Sequence, residues 1–151
     1  MVNTMKLISI VLSGALPTVF AGDLYAINHC SFDVWCWGAK NDGTDSPVEL
    51  TTANGGIYKS PLRANNDNMG SVVKCSMNSD RSQPFQMELA VQNGRSWFDL
   101  SAIDGDPFLP FTRHGDVSGQ CVLHCDPGSS SCEYPVQVDC ETQEDAWLAL
   151  Y

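Results

Sequence analysis

Residues 85–105 constrain what this chain can fold into more than any other segment. Phe85, Met87, Leu89 and Val91 alternate with Gln86, Glu88, Ala90 and Gln92, the period of a strand with one buried face. Asn93-Gly94 follows, a pair suited to the two positive-φ positions of a type I′ turn. A two-residue turn there fixes the register of the returning strand. Leu89 then faces Phe98 and Met87 faces Leu100 on the apolar side, while Glu88 faces Asp99 and Ala90 faces Trp97 on the other. Directly opposed residues have Cβ atoms about 4.5–5.5 Å apart, so two carboxylates are set against each other, a pairing that ordinarily destabilises a sheet. An acidic pair beside an exposed indole is a candidate site.

Similar short runs recur along the chain at 24–38, 48–51, 56–60, 71–77, 96–101, 121–124, 136–139 and 146–151. Between them lie connectors rich in turn formers, such as Asn41-Asp-Gly-Thr-Asp-Ser-Pro47 and Asp126-Pro-Gly-Ser-Ser-Ser131. No segment sustains a 3.6-residue period; residues 144–150 could form a helical turn or a last strand, and strand is preferred. The pattern predicts an all-β fold, an antiparallel β-sandwich.

The N-terminus speaks to compartment. Lys6 precedes an apolar run over 7–20, the length of a signal-peptide core and too short to span a bilayer. Val19-Phe20-Ala21 offers the small-residue cleavage pattern, so residues 1–21 are expected to be a signal peptide and 22–151 a single mature domain, secreted to the extracellular space or cell wall. The chain carries 18 acidic and 8 basic residues, a net charge of −10. That balance argues against nucleic acid and anionic membrane surfaces as partners, and a monomer is expected. No Asn-x-Ser/Thr sequon occurs.

All seven cysteines (Cys30, Cys36, Cys75, Cys121, Cys125, Cys132 and Cys140) follow the leader. In a secreted chain they read as a disulfide framework with one thiol over. The rival is a metal site, since Cys121-x3-Cys125 encloses His124, but the paired knuckles of zinc ribbons are missing and secretion oxidises thiols. No metal and no cofactor is expected. Asn66-Asp-Asn-Met-Gly70 and Asp104-Gly-Asp106 lack the ligand spacing of calcium loops and read as turns. Trp35 and Trp37 share one face of the first run with Asp33, opposite Cys30, Phe32, Val34 and Cys36, and are expected to serve packing.

Two segments carry a family likeness. Trp97-Phe-Asp-Leu-Ser101 and Ile103-Asp-Gly105, with Glu88 in the preceding strand, resemble the acidic-cleft hairpin of thaumatin-like proteins. Asn28-His-Cys-Ser-Phe-Asp-Val-Trp35 resembles that family's opening strand. The wording through Gly105-Asp-Pro-Phe108 is closer still to the small fungal secreted relatives named after a Blastomyces yeast-phase-specific protein. The resemblance implies a thaumatin-like, disulfide-stabilised sandwich. It also implies nested bridges, Cys121–Cys140 outside and Cys125–Cys132 inside. Cys30 matches a first-strand cysteine whose family partner lies at the C-terminus; none follows Cys140 here, which leaves Cys30 as the free thiol. Cys36 and Cys75 have no family counterpart and are expected to pair with each other.

The resemblance further places Glu88, Asp99 and Asp104 at the family's acidic positions, with Asp80 as a fourth and Lys74 as a displaced basic member. Trp97 would stack on a sugar ring. Two carboxylates about 5–5.5 Å apart could run retaining glycoside hydrolysis. Only 14 residues separate Cys125 from Cys140, so the helical domain that forms the second wall of the family cleft is absent. An open face holds a substrate poorly and admits water. The expectation is therefore a non-enzymatic protein that binds wall polysaccharide of the β-glucan type, or a host protein, as a small secreted effector. The alternatives are a weak endo-β-1,3-glucanase using Glu88 and Asp99, and a structural cell-wall protein.

Overall fold

In the computed structural model, which describes residues 22–41, 43–52, 56–67 and 69–151, alternating sequence becomes alternating burial. The strands are β1 (Leu24–Asn28), β2 (Val34–Lys40), β3 (Gly43–Thr44), β4 (Val48–Leu50), β5 (Ile57–Lys59), β6 (Ser71–Ser76), β7 (Phe85–Gln92), β8 (Arg95–Ser101), β9 (Arg113–Val117), β10 (Cys121–Cys125), β11 (Gln137–Cys140) and β12 (Ala146–Leu150). No α-helix occurs among the described residues. The expected leader, residues 1–21, lies outside them.

The strands form two sheets. A five-stranded sheet runs β10-β9-β12-β1-β5, and a seven-stranded sheet runs β11-β8-β7-β6-β2-β3, with β4 on the edge of β2. Every pairing is antiparallel except β1 with β12. The sheets share one core: Leu24, Ala26, Leu148 and Leu150 from the first meet Val73, Phe85, Met87, Leu89, Phe98 and Leu100 from the second. Asn93 (φ 52°) and Gly94 (φ 83°) take the left-handed conformation of the β7–β8 turn. The register is the one their position dictates, Leu89 to Phe98 and Glu88 to Asp99.

Two features differ from the sequence reading. The run 24–38 is two strands in different sheets, divided at an Asn28 corner. The Asn28 amide donates to the carbonyls of Phe32 (2.9 Å) and Leu50 (2.7 Å), and its Oδ1 accepts from the Cys30 N–H (2.9 Å). That side chain replaces the ladder bonds the chain gives up as it changes sheet. The second feature is β9, which hydrophobic alternation did not reveal. Its buried positions are Arg113, Gly115 and Val117, so burial alternates where hydropathy does not. A Cβ on Gly115 would lie 2.6 Å from Phe98 Cζ; only glycine lets the sheets approach there.

Arg113 is fully buried. It spends its donors on the carbonyls of Phe108, Leu109, Phe111 and Ser129, pairs with Glu133 (2.8 Å) and Asp106 (3.4 Å), and lies 5.4 Å from the centre of the Phe85 ring. One guanidinium thus ties the loop 102–112 and the segment 126–136 to the core. Burial, with Glu133 adding to it and Arg113 opposing, pushes Asp106 up to about 6.

The structure joins Cys36 to Cys75, Cys121 to Cys140, and Cys125 to Cys132, and leaves Cys30 as a buried thiol. The Cys36–Cys75 bridge, 39 residues apart in sequence, links directly opposed positions of β2 and β6. In the chain-entropy view a loop of that length is worth about 4 kcal/mol, against about 2–3 kcal/mol for the short inner loop.

Candidate functional site

Strand register builds the site as rows across the outer face of the seven-stranded sheet. One row runs Ala39, Val72, Glu88, Asp99, Gln137. The row on one side runs Ala90, Trp97, Asp139; the row on the other runs Trp37, Lys74, Gln86, Ser101. The acidic pair therefore lies between an indole and a polar row. Trp97 is partly exposed.

Asp99 is buried and Glu88 half-buried. Burial first and the Glu88 charge second push the Asp99 carboxyl up to about 6, with Gln137 Nε2, 3.4 Å from Oδ2, pulling the other way. Asp99 Oδ1 is buried and meets no hydrogen-bond donor among the described residues. Burial also raises Glu88; Lys74 opposes this and Asp104 adds to it. The pair thus holds protons more tightly than ordinary carboxyls, and burial contributes more than mutual repulsion.

Asp104 reaches the face from the loop after β8. Its Oδ2 accepts from Lys74 Nζ (2.7 Å) and Gln86 Nε2 (3.1 Å). Glu88, Asp99, Asp104 and Lys74 are therefore brought together. Asp80 stands in the exposed turn after β6, where its Oδ1 accepts from the Ser82 N–H (2.9 Å); the Ser82 hydroxyl first and that N–H second hold it below the ordinary carboxylate range. Among the described residues, no hydrogen bond or ion pair joins Asp80 to the other acids. Arg95, at the start of β8, forms a bidentate contact with Asp139 (2.8 and 2.9 Å) and not with the acidic pair. Trp37 is covered, with the Arg81 guanidinium 5.7 Å from its ring centre.

Two parts of the site were not found by sequence reasoning. Gln137 became a neighbour of Asp99 through the β8–β11 pairing, which no local pattern announces. A hollow of about 300 Å³ lined by Ser101, Ala102, Ile103, Glu133 and Tyr134 adjoins the polar row at Ser101. Ile103 is 80 % exposed and Tyr134 64 %, an apolar rim assembled from two separate loops.

Comparison with known proteins identifies the family. Residues 13–151 match the family model described as Blastomyces yeast-phase-specific protein, so the chain belongs to that family. It is 26 % identical over 137 residues to an antigenic thaumatin-like protein of Arthroderma benhamiae, covering 87 % of this chain and 69 % of that one. Among solved structures, the protein elicitor MoHrip2 from Magnaporthe oryzae superposes with a TM-score of 0.74 at 19 % identity, over 86 % of this chain and 98 % of the elicitor. The thaumatin-like xylanase inhibitor TLXI gives 0.61 at 13 % identity, over 84 % and 97 %. The fold is thaumatin-like.

Proposed function

We propose that this member of the Blastomyces yeast-phase-specific protein family is a secreted, non-enzymatic protein that binds wall polysaccharide of the β-glucan type on the outer face of its seven-stranded sheet. One observation carries the reading: the partly exposed Trp97 indole stands one row from Glu88, Asp99 and Gln137. A sugar ring presents C–H groups on its faces and hydroxyls at its edges. An indole supplies the apolar platform, and carboxylate and amide oxygens accept the hydroxyl protons. The Lys74–Asp104 pair adds a donor and an acceptor beside them.

The same pair does not favour turnover. Retaining hydrolysis needs one carboxyl to stay ionised as nucleophile while the other carries the proton. The unequal rise of Asp99 over Glu88 would suit Asp99 as the proton donor, but Asp99 is buried in the sheet, where a glycosidic oxygen does not reach it. Its unpartnered oxygen lies within the sheet surface and not at an open bond-cleaving position.

A second reading, recognition of a host protein, is favoured by the exposed Ile103, Tyr134 and Val136 at the end of the same face. The test is depletion of the protein from solution by insoluble β-1,3-glucan, with release of reducing ends followed across acidic pH. Binding by the wild type, its loss in Trp97→Ala, weakening in Glu88→Gln and no reducing ends are the expected results. Equal retention of wild type and Trp97→Ala would refute saccharide binding, and sustained release of reducing ends lost in Glu88→Gln would establish the glucanase.

A further inference from the structure

A second site lies on the opposite side of the sandwich, on the outer face of the five-stranded sheet. β9 and β10 pair so that His114 and His124 are directly opposed. Their Nδ1 atoms are 3.3 Å apart. We propose that this pair chelates a late first-row divalent cation of the Cu²⁺, Ni²⁺ or Zn²⁺ class.

The distance is the first argument. Two nitrogen ligands at about 2.0–2.1 Å from an ion, separated by a tetrahedral angle, lie about 3.3–3.4 Å from each other. The two nitrogens already occupy that edge, so an ion can take the place of the proton they would otherwise share. The second argument is the other ring nitrogen. His124 Nε2 faces Asp126 Oδ1 at 3.4 Å. A carboxylate there favours the proton on Nε2 and leaves Nδ1 with the lone pair that a metal requires.

The backbone under the pair is fixed. Cys121 and Cys125 point into the core on either side of His124, bridged to Cys140 and Cys132. The hairpin turn is held by the Gln120 N–H donating to the Val117 carbonyl (3.0 Å) and by Asp116 Oδ1 accepting from the Gly119 N–H (2.9 Å). The ligands therefore need little ordering on binding, which lowers its entropic cost. A hollow of about 350 Å³ lined by Thr112, His114, His124 and Tyr151 leaves room for the rest of the coordination sphere.

Donor chemistry sets the class. Imidazole suits copper, nickel and zinc, whereas calcium and magnesium demand oxygen shells. Among the described residues no group of three or more His, Cys, Asp and Glu side chains could hold a metal. The ion would therefore keep positions open for water or for a donor from a binding partner. A net charge of −10 favours cation approach to the molecule as a whole.

The test is isothermal titration of the tag-free protein with CuCl₂ and ZnCl₂, alongside His114→Ala, His124→Ala and His29→Ala. Both histidines are at the surface, so these variants should fold; matching circular dichroism checks it. One ion per chain is expected, bound more tightly for Cu²⁺ than Zn²⁺. Loss of either His114 or His124 should weaken binding by at least about tenfold, since even outer-sphere partners cost 10–100-fold. His29 stacks on Tyr151 at the rim of the hollow (4.8 Å), so His29→Ala should still bind one ion and lose far less affinity than His114→Ala or His124→Ala. Long-range ¹H–¹⁵N spectra should show the Nδ1 resonances of His114 and His124 moving with Zn²⁺ and staying still with Mg²⁺. Binding that survives both substitutions, or ring nitrogens that do not respond to Zn²⁺, would reduce the pair to a hydrogen bond and overturn the proposal.

Discussion

Replacing Asp99 with Asn should stabilise the protein at neutral pH, and the gain should disappear in acid. Asp99 is 7 % exposed, and burial followed by the Glu88 charge raises its pKa from 3.8 to about 6. The sign follows from proton linkage. Well below about pH 4 the carboxyl is protonated in both folded and unfolded chains and costs almost nothing. As pH rises toward 6 the unfolded chain releases its proton first, so stability falls, and the loss is complete once the folded carboxyl ionises. At about 1.4 kcal/mol per pKa unit the rise corresponds to at most about 3 kcal/mol at neutral pH. Asn keeps a carbonyl for Gln137 and cannot ionise, so it should recover about 1–3 kcal/mol near pH 7.5 and almost nothing near pH 3.5. Glu88→Gln removes the smaller cause of the Asp99 rise together with the lesser rise of Glu88 itself, and should gain less than Asp99→Asn. Urea unfolding followed by tryptophan fluorescence reads this as a midpoint shift at constant slope. A lower midpoint for Asp99→Asn near neutrality, or an equal gain at both ends of the pH range, would refute the reasoning.

Gly115→Ala should destabilise by about 1–3 kcal/mol, because its Cβ would meet Phe98 Cζ at 2.6 Å; thermal melting checks it. Arg113→Met should cost about 3–5 kcal/mol by leaving Asp106 and Glu133 without their buried partner, and Arg113→Lys, which lacks the planar fork, should not restore the loss in urea unfolding. The Cys30 thiol, pushed up to about 11 by burial, should resist alkylation in the native protein and react once it is unfolded without reductant. Intact mass should then show one added group, against seven after reduction.

The hairpin and its acidic pair were legible because two local rules agree there. Alternation over 85–92 names the buried face, and Asn93-Gly94 fixes where the chain returns, so register follows without knowledge of the rest of the fold. β9 was not legible because its inward positions are filled by exceptions: an arginine whose charge is matched inside, and a glycine required by a phenylalanine from the other sheet. Both make sense only once the two sheets are packed. The Asn28 corner was missed for a related reason, since a side chain that substitutes for ladder bonds looks like any other polar residue in a strand. At the site, Glu88, Asp99 and Trp97 came from register, whereas the Lys74–Asp104 contact spans a loop whose path is set by the Arg113 cluster. The His114–His124 pair depends on the β9–β10 register and so was hidden with β9.

Titration of isotopically labelled protein with a soluble β-1,3-linked glucose oligosaccharide, followed by ¹H–¹⁵N NMR, tests the central claim most directly. The four tryptophans give four indole resonances, and Trp147 on the opposite sheet serves as an internal control. Saturable movement of the Trp97 indole together with the Gln137 side-chain amide, with Trp147 unchanged, is the expected result. No movement of Trp97 at millimolar ligand, or movement centred on Trp147, would contradict saccharide binding on the acidic face.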